Sequence, residues 1–181
     1  MTFTLYKAPD TLQYREMKRF IVGNDFPWFW TDFTVKNSEL SDFNQDGFYS
    51  HVLLARPKWE NISGTLFPTP ASNHFERIYP AIEEIFEYNK IPVNCLYRVN
   101  ANLVHPGSDK MTPPHVDHQF PHKNLIVYLT DAGGPTILTE RTDLVRDMHH
   151  PKEDDIVVFD GMHCMIPPTS GRRIVLVVTF S

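Results

Sequence analysis

Cysteine is scarce in this sequence: two residues, Cys95 and Cys164, among 181. That excludes a disulfide framework, so free thiols in a reducing, cytoplasmic setting are expected. Positive charge is not concentrated either. Seventeen Lys and Arg are scattered among 22 Asp and Glu, for a net charge of -5. No basic run is present of the kind a nucleic-acid or anionic-membrane partner would select. The first twenty residues, MTFTLYKAPDTLQYREMKRF, lack the basic flank and apolar run of a secretory signal. Long hydrophobic runs are missing too. The best candidate, IVLVVTF, is far shorter than the roughly 20 residues of a membrane-spanning helix and reads as a buried strand. Internal repeats, low-complexity tracts and Gly/Ser linkers are also absent, which leaves one domain over 1–181 as the expectation.

What the chain does have is apolar and aromatic surface. Thirteen Phe, 7 Tyr and 3 Trp, within a hydrophobic share of 41%, are enough to support a packed core and argue against disorder. Two amphipathic helices are predicted in the first half. One covers about 11 to 22, where Asp10 and Gln13 suggest a capping box and Leu12, Met17, Phe20 and Ile21 recur at helical spacing. The other covers about 73 to 89, with Phe75, Ile78, Ile82, Ile85 and Phe86 on one face and Pro80 either kinking the helix or marking its first turn. The aromatic stretch FPWFW, Phe26 to Trp30, could line a substrate entrance, but a strand buried against a sheet is the favoured expectation. FWTDFTV and GFYSHVLLA are further edge-strand candidates. After Pro92 the pattern becomes β throughout: CLYRVNANLV, NLIVYLT, PTILTE, DIVVFD and RRIVLVVTF, separated by Gly, Pro and Asp turns. A mainly β, α+β architecture of the jelly-roll, cupin-like kind follows, with helices over one face. Helical and strand support occupies about 1–90 and a metal-binding β core about 91–181.

The chemistry concentrates in TPPHVDHQF, Thr112 to Phe120. In extended backbone, residues i and i+2 share a side, so His115 and Asp117 aim together, and two preceding prolines hold the segment extended. Imidazole with carboxylate suits a divalent metal, and a second histidine would complete the two-His, one-carboxylate facial triad of non-haem iron sites. Candidates for it are His118, His122, His149, His150 and His163. His163 is the best placed, after the strand DIVVFD and the Gly161 turn, whereas His149 and His150 read as loop. Near the C-terminus, adjacent Arg172 and Arg173 must face opposite sides of a strand. The inward one needs an anion, because a buried guanidinium is costly without one.

In HVD, LIVYL, GGPTIL and VVFDGMHCMIPPTSGRR with the terminal β run, the chain resembles the 2-oxoglutarate and Fe(II)-dependent dioxygenases, in particular the prolyl 4-hydroxylase-like branch. The resemblance covers about 95 to 181. It implies a double-stranded β-helix with His115, Asp117 and His163 as catalytic iron ligands and Arg173 holding the distal carboxylate of 2-oxoglutarate. Tyr128 lies where the family often places a tyrosine that assists that carboxylate. His105, in VHPG, stands where relatives can carry a cosubstrate-binding tyrosine. The implied cofactors are Fe(II), 2-oxoglutarate and O2. The implied reaction is a hydroxylation, on peptidyl proline or another amino acid, coupled to decarboxylation of 2-oxoglutarate to succinate. Partners are then 2-oxoglutarate and a peptide or small-molecule substrate, with no nucleic acid or membrane. The competing reading is a non-catalytic cupin-like binding module, or a local zinc site of His115, Asp117, His118 and His122.

Overall fold

The computed structural model describes residues 2–32, 42–44, 46–57, 67–141 and 144–181. The order of elements is β1 (Thr4–Lys7), α1 (Leu12–Val22), β2 (Phe29–Thr31), β3 (Phe48–Ala55), β4 (Thr69–Pro70), α2 (Phe75–Tyr88) and β5 (Leu96–Val104). It continues with β6 (Lys123–Tyr128), β7 (Thr136–Arg141), β8 (Leu144–His149), β9 (Asp155–Phe159), β10 (His163–Met165) and β11 (Arg173–Phe180). The major sheet runs β1-β9-β6-β11-β5-β3-β2, with β4 also paired to β3, and the minor sheet runs β10-β7-β8. Every pairing in both sheets is antiparallel. This is the two-sheet jelly roll that the strand pattern predicts. Of FWTDFTV, Phe29 to Thr31 form strand, and Phe33 to Val35 lie outside the described residues.

The helices form because each has one apolar face to bury. Tyr14, Met17 and Ile21 on α1, and Ile78, Ala81, Ile82, Ile85 and Phe86 on α2, are all buried. The cap of α1 differs from the predicted capping box by one residue. Thr11, not Asp10, is the N-cap: its hydroxyl accepts from the Tyr14 backbone N–H at 3.2 Å and donates to Glu84 of α2 at 2.7 Å. Asp10 instead pairs with Arg15 at the surface. Helix α2 continues through Pro80. The missing N–H is the one that would have paired with the carbonyl of Glu76, an exposed residue, and the proline neither starts nor ends the helix. The acidic turn Glu153–Asp154 does more than precede a strand: Lys18 binds both carboxylates at 2.5 and 2.7 Å, and the Tyr14 hydroxyl donates to Asp154, fixing α1 to the start of β9.

Period-2 alternation assigns the two faces of the major sheet. On β11, Ile174, Leu176, Val178 and Phe180 join the helix-side core. Val175 and Val177 face the other way, with Ile126, Tyr128, Val157 and Phe159 of the major sheet and Leu138 of the minor sheet. The N-terminal helices thus cover one face, and the opposite face is left to the minor sheet and the space between the sheets. His149, read as loop, ends strand β8, and its ring lies 5.3 Å from that of Tyr128. The strand was hidden because β8 is an edge with most of its residues exposed, so it shows no apolar alternation. Among the described residues no helix is long and apolar enough to cross a membrane.

Candidate active site

Between the sheets lies a cavity of about 900 Å³ whose wall includes His115, Asp117, His163, Arg173, Arg98 and Thr136. Local backbone chemistry explains how the first three meet. Pro113 and Pro114 have no N–H, so the extended segment pairs with β10 through its flanking residues. His115 and His163 exchange backbone hydrogen bonds at 3.0 and 2.9 Å, and the Thr112 N–H reaches the Met165 carbonyl at 2.7 Å. Directly opposed residues in such a pair share a side, and the two imidazoles lie 4.6 Å apart between ring centroids. Gly161, at φ 90°, makes the left-handed corner that turns β9 into β10 and brings His163 to this wall.

Both imidazoles are oriented by their own backbone. His115 Nδ1 donates to the Pro113 carbonyl at 3.0 Å, and His163 Nδ1 donates to the Gly161 carbonyl at 3.3 Å. This leaves each Nε2 with a lone pair, the arrangement that metal-binding histidines adopt. Burial, with His115 beside it, pushes the His163 pKa down to about 4, so its ring is neutral at pH 7. Burial by itself raises the Asp117 pKa. The positive groups around it, His163, Arg98, His115 and Arg56 in order of effect, outweigh burial and hold the carboxyl at about 2. With His163 neutral, the arginines are what sustain that carboxylate at neutral pH. One oxygen, Oδ1, accepts from Arg98 at 2.7 Å; the other, Oδ2, is buried without a hydrogen-bond partner, 3.6 Å from His163 Nε2. Among the described residues no group of three or more His, Cys, Asp or Glu side chains is arranged so that it could hold a metal ion. The donor chemistry nevertheless fits a divalent cation: two imidazoles whose Nδ1 atoms are taken by backbone carbonyls and an orphaned carboxylate oxygen on one wall.

Arg173 is the second unusual group. It faces the cavity and is 5% exposed, while Arg172 is turned to solvent. Its Nη2 donates to Thr136 Oγ1 at 2.9 Å, its Nη1 meets Met165 Sδ at 3.1 Å, and its Nε has no partner. Tyr128 lies behind it, fully buried, with its hydroxyl 2.7 Å from Thr136 Oγ1 and its ring 5.3 Å from the guanidinium. Burial raises the Tyr128 pKa, so the phenol is neutral at pH 7 and supplies no counter-charge. Burial likewise lowers the pKa of Arg173, but a guanidinium remains protonated in proteins. Among the described residues no carboxylate pairs with it. A buried cation left so is costly unless an anion meets it.

No protein-family model and no curated protein matches the sequence. Solved structures do. An oxidoreductase of the 2OG-Fe(II) oxygenase family from Burkholderia pseudomallei superposes with a TM-score of 0.64 at 12% identity, over 99% of this chain and 85% of that one. A prolyl hydroxylase from Trichoplax adhaerens, in complex with a hypoxia inducible factor oxygen degradation domain peptide fragment, gives 0.57 at 8% identity, over 98% and 82%. The non-heme alpha ketoglutarate dependent epimerase SnoN from nogalamycin biosynthesis gives 0.56 at 13%, over 99% and 77%. The fold is that of the 2OG-Fe(II) oxygenases.

Within this oxygenase fold the other expected residues take distinct places. His105 lines the cavity at its exposed rim, near Tyr49. Tyr128 does not line the cavity; it meets Arg173 both directly, ring to guanidinium, and through Thr136. His118 is turned away: its Nε2 meets Thr179 Oγ1 at 2.8 Å and its ring stacks on Phe120. Neither His118 nor His122 lines the cavity. The prediction that FPWFW is a buried strand is corrected. Phe26 is in the core, but Phe29 and Trp30 are 60% and 58% exposed, and Trp30 lines the cavity. The two are adjacent on the edge strand β2 and so point to opposite faces, Trp30 beside Tyr49 on the cavity side and Phe29 beside His51 on the other. Sequence reasoning missed Arg98 and Thr136. The available signal for Arg98 was on β5, where Arg98, Asn100 and Asn102 alternate with apolar Val99, Ala101 and Leu103. A polar inner face in a buried strand marks a cavity.

Proposed function

We propose that this chain is an Fe(II)- and 2-oxoglutarate-dependent oxygenase. His115, Asp117 and His163 hold the iron, and Arg173 binds the distal carboxylate of 2-oxoglutarate. One observation carries the reading: a buried guanidinium with an unpartnered N–H faces the same cavity as two imidazoles whose Nδ1 atoms are taken by backbone carbonyls and an orphaned carboxylate oxygen. An anionic cosubstrate that also chelates a metal answers both at once. The bound metal and cosubstrate would supply the O2-dependent oxidation of a C–H bond, with 2-oxoglutarate leaving as succinate and carbon dioxide. The protein's own residues do the rest. Thr136 orients the Arg173 fork, Tyr128 fixes Thr136 from behind, and the apolar walls from Val175, Val177 and Ile126 keep water from competing.

The chain acts as one domain in the cytoplasm, with about 1–90 as support. Its substrate is a peptidyl proline, another amino acid or a small molecule; a prolyl hydroxylase and an epimerase both stand among its structural neighbours, which leaves the target to be found by experiment. His105 and Trp30 at the rim are the residues to contact it. The test is succinate formation from 2-oxoglutarate under Fe(II) and O2 with a panel of peptides and amino acids. Wild type is expected to form succinate, and Asp117→Ala to form none. Full turnover by Asp117→Ala would overturn the ligand assignment.

A further inference from the structure

The two oxygens of Asp117 have different surroundings, and the difference traces to one residue that the ligand set does not include. Arg98 sits near the start of β5, opposite Thr179 of β11, and points to the cavity side of the sheet. Its Nη1 donates to Asp117 Oδ1 at 2.7 Å. Arg56, just beyond β3, donates to the Asp117 backbone carbonyl at 3.0 Å and places its Nη2 3.9 Å from the same Oδ1. Oδ2 has no partner. A guanidinium fork opposite a carboxylate commonly takes both oxygens in parallel. Here the contact is one-sided.

A purely structural ion pair does not explain this arrangement. Taking charges out of water is costly, and leaving one oxygen of a buried carboxylate without a partner adds to that cost. We propose that Arg98 is a positioning residue: it occupies Oδ1 of Asp117 so that Oδ2 alone is presented, beside His163 Nε2, to a divalent metal. Arg56 pins the backbone of the same residue, so the carboxylate is held at both ends. The consequence is a one-oxygen ligand that leaves more of the metal's coordination sphere to incoming molecules. This inference rests on the proposed metal site and adds a residue to it.

The experiment uses the full chain, freed of metal, and compares wild type with Arg98→Met, Arg98→Gln and Arg98→Lys. Mn(II) binding is followed by the EPR signal of the unbound ion, and Co(II) binding by its d–d absorption. Wild type is expected to take up one Mn(II) per chain. Both neutral variants should bind it about 10–100-fold more weakly, the usual cost of losing a residue that orients a metal ligand. Their Co(II) spectra should differ from wild type, because Asp117 is then free to turn or to chelate through both oxygens. Arg98→Lys, which keeps a cationic donor for Oδ1, should recover most of the affinity and the wild-type spectrum. Either neutral variant is sufficient if the other does not fold. A folded neutral variant with wild-type Mn(II) affinity and a wild-type Co(II) spectrum would overturn the role of Arg98. Failure of wild type itself to bind Mn(II) would reject the metal site, and the role of Arg98 with it.

Discussion

Arg173 and Asp117 are both more than nine-tenths buried, yet their charges are met differently: Asp117 has Arg98 and Arg56 beside it, while the hydrogen bonds of Arg173 among the described residues go to neutral groups. A buried cation without an anion destabilises the empty protein, so function and stability oppose each other at this residue. Arg173→Met is expected to leave the melting temperature of the metal-free protein unchanged or higher. The same variant should weaken 2-oxoglutarate by at least about 30-fold, corresponding to about 2 kcal/mol for a lost buried ionic partner. Calorimetric melts with and without metal and 2-oxoglutarate check both. The cysteines give a second residue-scale prediction. Cys95 is exposed, and Cys164 is buried with its thiol pKa pushed up to about 11 by burial. Only the thiolate reacts. Iodoacetamide at pH 8 should therefore label Cys95 and spare Cys164 until the protein unfolds, as peptide mass mapping would show. That His115 and Asp117 share a side was legible from period-2 geometry, which needs only the local chain; His163, which the structure brings to the same cavity, was chosen among several histidines by its strand–turn context and the family resemblance. Arg98 was not, because nothing in its own strand tells which side chain across the sheet its guanidinium meets; that partner, Asp117, is set by tertiary packing.

Among the elements, β11 is the most constrained, with all eight residues buried between β5 and β6. The sequence revealed it as a continuous apolar run, which is how a strand covered on both faces reads. Phe180 is fully buried and meets Phe86 of α2 edge-on at 4.9 Å. Phe180→Ala is expected to cost about 3–5 kcal/mol in urea unfolding, the range for deleting a core aromatic. A change near zero would mean that α2 does not depend on this contact. The Gly133–Gly134 turn is constrained by space as well as by conformation. Gly134 has φ 79°, and a Cβ there would fall 2.7 Å from the Ile166 carbonyl oxygen and 2.9 Å from Pro168 N, both backbone atoms. Gly134→Ala should destabilise the protein by more than 1 kcal/mol, checked by the same unfolding experiment. Helix existence and period were readable from apolar spacing. The cap of α1 was not, because the choice between Asp10 and Thr11 is decided by Glu84, on another helix.

For the whole molecule, the arrangement divides labour between the faces of one sheet. The helix side is apolar and carries much of the hydrophobic core; the other side gives up part of its packing to a cavity lined with arginine, histidine and aspartate. The jelly roll was legible from the density of short strands and turns after Pro92. The use of the N-terminal half was not, since which sheet face α1 and α2 cover is a tertiary choice that no local pattern encodes. The central claim is that iron and 2-oxoglutarate meet in this cavity, and anaerobic visible spectroscopy tests it most directly. Fe(II) added with 2-oxoglutarate should produce the weak charge-transfer band of a chelated 2-oxo acid. That band should be lost in His163→Ala and weakened in Arg173→Ala. Absence of the band in wild type, with zinc held tightly instead, would contradict the account and favour a non-catalytic metal-binding module.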